Sequence, residues 1–283
     1  MIESKFLGFI VRQRTFRALV AAGVIYAASQ HGAYAADPCA YPDDILGTLG
    51  SLPHAASALK PGGTLRVLTV GSATVFSPTE SLVSGTVTAK ALGLGSALTA
   101  AVTPVATAAG FPMQMAAALR QAYPKATVEV TVKGGRGIAA ADMLDIIQTE
   151  LAATHYQLVI WQTGTVEAVR NTPPAAFFET LSEGAATIAD AGSDLILVDP
   201  QYSRFLNANA DVDPYEQTLQ TIAAQPGVAL FRRFDLMRFW ATESQIDLER
   251  TPRSQRHATV EMLHVCLGRA LARLVAAGSK QQS

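Results

Sequence analysis

Four short apolar runs rich in β-branched residues set the strongest constraint on how this chain can fold. They are "LRVLTV" (65–70), "TVEVTV" (127–132), "YQLVIW" (156–161) and "DLILVD" (194–199), with a shorter fifth, "VALF" (228–231). Between them lie stretches of helical period: "FPMQMAAALRQAY", "IAAADMLDIIQTELAA", "PAAFFETLSEGAATIADA" and "PYEQTLQTIAAQ". Near-continuous apolar strands are buried on both faces, as in parallel sheets covered by helices. Strands alternating with helices imply right-handed crossovers and an α/β fold, a three-layer, flavodoxin-like, doubly wound parallel sheet of about five strands. A final helix is expected over about 256–277, with Val260, Leu263, Leu267, Leu271 and Leu274 on one face. In this architecture ligands bind at the carboxyl ends of the strands, in the loops after Val70, Val132, Trp161 and Val198.

With 283 residues, 49% hydrophobic and 16% charged, the chain can bury one large core and does not require two. The formal charge of −1, without a Lys/Arg block beyond the first twenty residues, argues against nucleic acid. Those first residues read as an export signal. Lys5, Arg12, Arg14 and Arg17 form a basic region, "ALVAAGVIYAA" (18–28) an apolar one, and "GAYA" a cleavage pattern ending at Ala35. The apolar run is too short for a bilayer core that needs about 20 residues. Residues 1–35 are therefore expected to be a signal peptide and 36–283 one exported domain, periplasmic or secreted, with no membrane span after cleavage. An oxidising compartment makes a Cys39–Cys266 disulfide the expected pairing of the two cysteines. His54, His155, His257 and His264 are scattered without close Cys/His spacing, so neither a metal site nor a cofactor is expected.

Residues 79–110 break the pattern. They are nearly all small and apolar, with Glu80 and Lys90 the only charges, and are long for a connection leaving a first strand. They form an insertion that is a lid, a contact surface for a protein partner, or helices packed on the domain edge.

The loop residues add a resemblance covering about 61–277. "VLTVGSAT", "VKGGRGIAAADML", "QLVIWQTGTVE" and "LILVDPQYS", followed by "PRSQRHATVEMLHVCLGRALARL", resemble in order the conserved blocks of the SGNH/GDSL hydrolase superfamily. The resemblance implies a serine attacking an ester or acyl carbonyl and a histidine taking its proton. It also implies an aspartate orienting that histidine and backbone and asparagine N–H groups holding the oxyanion.

Matched position by position, the chain departs from that pattern. The nucleophile turn reads Gly71-Ser72-Ala73, with Ala73 in the serine position and Ser72 one residue early; Thr74 is the other nearby hydroxyl. Gly134 matches the oxyanion glycine, and Arg136 beside it could meet an anion. Gly164 and Thr165 match the third block, but Val166 stands at the asparagine. Glu167 and Arg170 would then be a solvated or helix-capping pair, or else an ion pair at the cleft edge or a polar contact to a ligand. If His257 is the family histidine, its aspartate partner becomes Ser254; a gap-free count from the closing helix puts Ala258 at the histidine instead. His264 is expected on the helix surface or partly buried.

The nucleophile, asparagine and aspartate positions are thus unmatched. The leading expectation is an exported SGNH/GDSL-like protein, ancestrally an ester or acyl hydrolase of envelope glycans or lipids, that is inactive or altered. A non-catalytic periplasmic binding or scaffold protein, and an esterase using Ser72 and His257, are the alternatives. Ligands in the cleft would be small acyl, glycan or lipid groups near Gly134, Arg136, Gly164 and Glu167. Asp199, Gln201, Tyr202, Ser203 and Arg204, with Arg232, Arg233, Asp235 and Arg238, are further polar groups at strand ends.

Overall fold

The computed structural model describes residues 37–48, 50–72, 110–243 and 245–281. The signal peptide expected over 1–35, Ala73, Thr74 and the insertion expected over 79–110, up to residue 109, lie outside the described residues. The apolar runs become five parallel strands: β2 (Thr64–Gly71), β3 (Thr127–Gly134), β4 (Leu158–Gln162), β5 (Asp194–Val198) and β6 (Val228–Phe231). Their order across the sheet is β3-β2-β4-β5-β6, the flavodoxin-like arrangement. A two-residue strand, β1 (Gly47–Thr48), adds an antiparallel edge on β6.

Strand alternation sends the apolar side chains to two cores. Leu65, Val67, Leu158, Ile160, Ile196 and Val198 face α1 (Pro53–Ala58), α2 (Phe111–Ala122), α8 (Arg233–Thr242) and α9 (Arg256–Gly278). Leu68, Val70, Val159, Trp161, Leu195 and Leu197 face α3 (Ala140–Ala153), α5 (Pro174–Asp190) and α7 (Asp213–Ala223). Two short helices complete the α-helices of the described residues, α4 (Thr165–Arg170) and α6 (Arg204–Asn209). Small residues allow close contact in both layers. A Cβ at Gly184 on α5 would lie 2.3 Å from the Trp161 ring, and one at Gly268 on α9 2.4 Å from Gln114 on α2.

The N-terminal segment is fastened to the α8–α9 side. Cys39 is disulfide-bonded to Cys266 across 227 residues of sequence. Trp240 Nε1 donates to the Ala40 carbonyl at 3.0 Å, and Arg273 reaches Asp43 at 2.8 Å. No helix among the described residues is long and apolar enough to cross a membrane.

Candidate functional site

The carboxyl ends of β2, β3 and β4 bring the first three sequence blocks together. Ser72 follows β2 directly and is half-buried. Its Oγ accepts a hydrogen bond from Gln162 Nε2 at 3.1 Å, and Gln162, the last residue of β4, is itself buried. Among the described residues the partner of Ser72 Oγ is therefore a carboxamide, which donates here, and no basic side chain there accepts the hydroxyl proton. Gln162 stood in the quoted "WQTG" run without a role; only the pairing of β2 with β4 brings it to Ser72.

The glycine of the second block is required by backbone packing. Gly134 pairs with Gly71 across β2 and β3 and has φ +126°, where a Cβ would lie 2.0 Å from the Gly71 carbonyl oxygen. Arg136 beyond it is exposed and makes no hydrogen bond or ion pair with any described residue. Arg170 donates to the Gly137 carbonyl at 2.8 Å.

Glu167 and Arg170 do not pair with each other, because the Glu167 carboxylate is turned inward. It is buried, and its Oε1 accepts from the Ala140 N–H at 2.5 Å while Oε2 accepts from the Gly164 N–H at 2.8 Å and Thr163 Oγ1 at 3.3 Å. One carboxylate thus caps the first turns of α3 and α4 and closes the β4 turn, where Gly164 has φ +92°. The Gly164 N–H, spent on Glu167, does not point to a ligand. Glu167 is a positioning residue that ties the second block to the third.

The two histidines of α9 occupy opposite environments. His257, in its first turn, has a side chain 70% exposed and contacts Glu261, one turn along the same helix, at 3.3 Å from Nδ1. No hydrogen bond among the described residues joins His257 to Ser72. Glu261, four residues later, is the carboxylate in contact with His257, and Ser254 supplies none. His264, by contrast, is buried, and its Nδ1 accepts from the Phe111 N–H at 3.0 Å at the start of α2. Burial, with the nearby Arg233 charge, pushes its pKa down to about 4, which keeps Nδ1 free to accept.

Asp199, after β5, accepts from the Phe234 N–H at 2.9 Å, and Arg233 Nε donates to the Asp199 carbonyl at 3.1 Å. Both residues are buried. Desolvation holds the Asp199 carboxyl well above the usual carboxylate range and lowers Arg233 to about 10. Arg204 meets Asp247 and Glu249 at 3.0 and 3.2 Å, and Ser203 Oγ donates to Glu249, fastening the β5–α6 loop. Asp235 receives both Arg232 and Arg238. Gln201 and Tyr202 line the same loop, with Tyr202 edge-on to Phe234. Among the described residues, no group of three or more His, Cys, Asp or Glu side chains is placed to hold a metal ion.

The arrangement matches known folds. The chain aligns with LAE5, an alpha/beta hydrolase enzyme from the metagenome of Lake Arreo, Spain, at 16% identity and TM-score 0.52, covering 78% of this chain and 98% of that one. A variant of Axe2, an acetyl-xylooligosaccharide esterase from Geobacillus stearmophilus, aligns at 18% identity and TM-score 0.52, covering 76% and 96%. A two-domain esterase (CEX) active on acetylated mannans aligns at 12% and 0.52, covering 83% and 58%. At these identities the likeness is one of fold, that of the SGNH-type hydrolases. No curated protein matches the sequence. The model of the Non-GDSL lipase-like family matches residues 79–281, well over half of the chain. That match, on a sheet with this strand order, places the chain in the Non-GDSL lipase-like family, within the SGNH/GDSL-like superfamily.

Proposed function

We propose that this protein is an exported member of the SGNH-type esterase fold that uses its strand-end cleft to bind an acyl-bearing ligand and does not carry out Ser-His-Asp ester hydrolysis. The observation that carries the reading is the bond from Gln162 Nε2 to Ser72 Oγ. A serine becomes a nucleophile when a neighbouring base removes its proton, and an amide cannot. The departures at Ala73, Val166 and Ser254 support the same reading, as does the solvent-facing position of His257. The ligand class follows from ancestry: ester or acyl groups on envelope glycans or lipids. Two fold neighbours that act on acetylated xylooligosaccharides and mannans favour the glycans. Export rests on the basic-apolar leader and is supported by the Cys39–Cys266 disulfide, a bond that persists in oxidising compartments.

One observation favours a second reading, an esterase using Ser72 and His257: the contact with Glu261 gives His257 a carboxylate partner. Hydrolysis of p-nitrophenyl acetate and butyrate by the purified protein separates the two. The first reading expects no turnover beyond that of Ser72→Ala and His257→Ala. Turnover in the parent that both substitutions abolish establishes the second.

A further inference from the structure

A cavity of about 780 Å³ opens at the carboxyl ends of β5 and β6, between α6, α7 and the start of α8. Ser72 lies at the end of β2, so two to three strand spacings, about 10–15 Å, separate the two places along the sheet. The ester-bearing cleft does not account for this cavity.

Its wall is mostly polar, with hydrogen-bonding groups of both kinds and an apolar portion that includes Val212, Leu230 and Phe234. Asn171, Asn207 and Gln220 present carboxamides whose side chains make no hydrogen bond to any described residue. Glu216 adds a carboxyl that makes no hydrogen bond or ion pair with any described residue, its Oε1 being buried and its other oxygen left for a ligand. Arg232 and Arg238 stand opposite, both held on Asp235. The chemistry of this wall excludes several ligands. An acyl chain would desolvate amides and carboxyls without replacing their hydrogen bonds. An anion would face Glu216, Asp213 and Asp211 while both guanidinium groups are already committed to Asp235. A compact cation would gain Glu216 but share the wall with two arginines. A hydroxyl both donates and accepts, and amides, carboxyls and guanidinium groups together satisfy a row of hydroxyls.

We propose that this cavity is a saccharide-binding site, separate from the Ser72 cleft, in which Asn207, Glu216 and Gln220 hydrogen-bond the hydroxyl groups of a neutral glycan segment. Burial, with Asp235 and Asp213 nearby, raises the Glu216 carboxyl to about 7, so near neutrality it can donate to or accept from a hydroxyl. The inference stands whether or not Ser72 is a nucleophile, because binding here needs no turnover.

The test is titration of the purified protein with xylotetraose, mannotetraose and N-acetylated chitotetraose, followed by calorimetry and by the side-chain amide resonances of asparagine and glutamine. At least one saccharide is expected to bind with a Kd below about 1 mM and to shift the amides of Asn207 and Gln220. The double variant Asn207→Ala/Gln220→Ala should weaken that binding about 10- to 100-fold for two lost hydrogen bonds. Both positions are exposed, so its unfolding midpoint should match the parent. No response to any of the three saccharides at about 10 mM overturns the proposal. So does saccharide binding that the double variant leaves unchanged, or spermidine shifting these amides where the saccharides do not.

Discussion

Replacing Glu216 by glutamine should make this protein more stable at neutral and alkaline pH. The Glu216 carboxyl sits partly buried on α7, with Asp213 one turn before it and Asp235 facing it from α8. Arg232 and Arg238, which would offset them, are drawn to Asp235. Desolvation and the two acids raise its pKa from 4.5 to about 7. At about 1.4 kcal/mol per pH unit, that displacement sets a ceiling of about 3.5 kcal/mol. The group is far from fully buried, and solvent screening reduces the expected effect to about 1–2 kcal/mol.

The native state binds this proton more tightly than the unfolded chain does. The group therefore costs nothing below pH 4.5, lowers stability progressively as pH rises from 4.5 to 7, and exacts its full cost above 7. His264 acts in the opposite sense. Its pKa, lowered to about 4, gives stability that is complete above 6.5 and is lost as pH falls from there towards 4. The two slopes oppose each other between 4.5 and 6.5, so the parent profile is flattened there. The difference between Glu216→Gln and parent removes what the two proteins share. Urea unfolding at intervals from pH 4 to 8.5 should give a difference near zero at pH 4 that grows to about 1–2 kcal/mol in favour of the variant above pH 7. A difference independent of pH, or one that favours the parent at high pH, refutes the reasoning.

Two further perturbations test the framework of the site. Glu167→Ala strands the N–H groups of Ala140 and Gly164 in a buried position; it should cost about 2–4 kcal/mol by chemical denaturation. The Cys39→Ser/Cys266→Ser variant frees the N-terminal segment from α9 and should lose about 2–4 kcal/mol in the chain-entropy picture, read as a fall in unfolding midpoint.

The strands were legible because each apolar run carries its own signal. A run of about four to six apolar, mostly β-branched residues bounded by turn signals reads as a buried strand; β3, with Glu129 inside its run, lies instead at the sheet edge and is only partly buried. The closing helix, found over Arg256–Gly278, was equally legible from its leucine stripe. α8 was not, because "RRFDLMRFW" carries three arginines, and the burial of Arg233 depends on Asp199, which is 34 residues away. The two-residue β1 exists only as a partner for β6 and has no pattern of its own.

At the site, residue types were legible and their partners were not. Gly134 was matched to an oxyanion role, whereas the close approach of Gly71 already demands glycine there. Glu167 was placed beside Arg170 by helical spacing, yet the nearer demand came from N–H groups at the starts of α3 and α4. The imidazole of His264 caps α2 across 153 residues of sequence. Only a pairing of distant segments creates such contacts, and local periodicity does not encode them.

The central claim, that Ser72 is not an activated nucleophile, is tested most directly by a fluorophosphonate, which forms a covalent bond with a serine whose proton a neighbouring base removes. The purified protein would be incubated with the reagent at neutral pH and its mass measured intact, then by peptide mapping. With Gln162 as the partner of its Oγ, Ser72 should carry no adduct. A stoichiometric adduct on Ser72 that disappears in His257→Ala would contradict the account and identify a working serine–histidine pair.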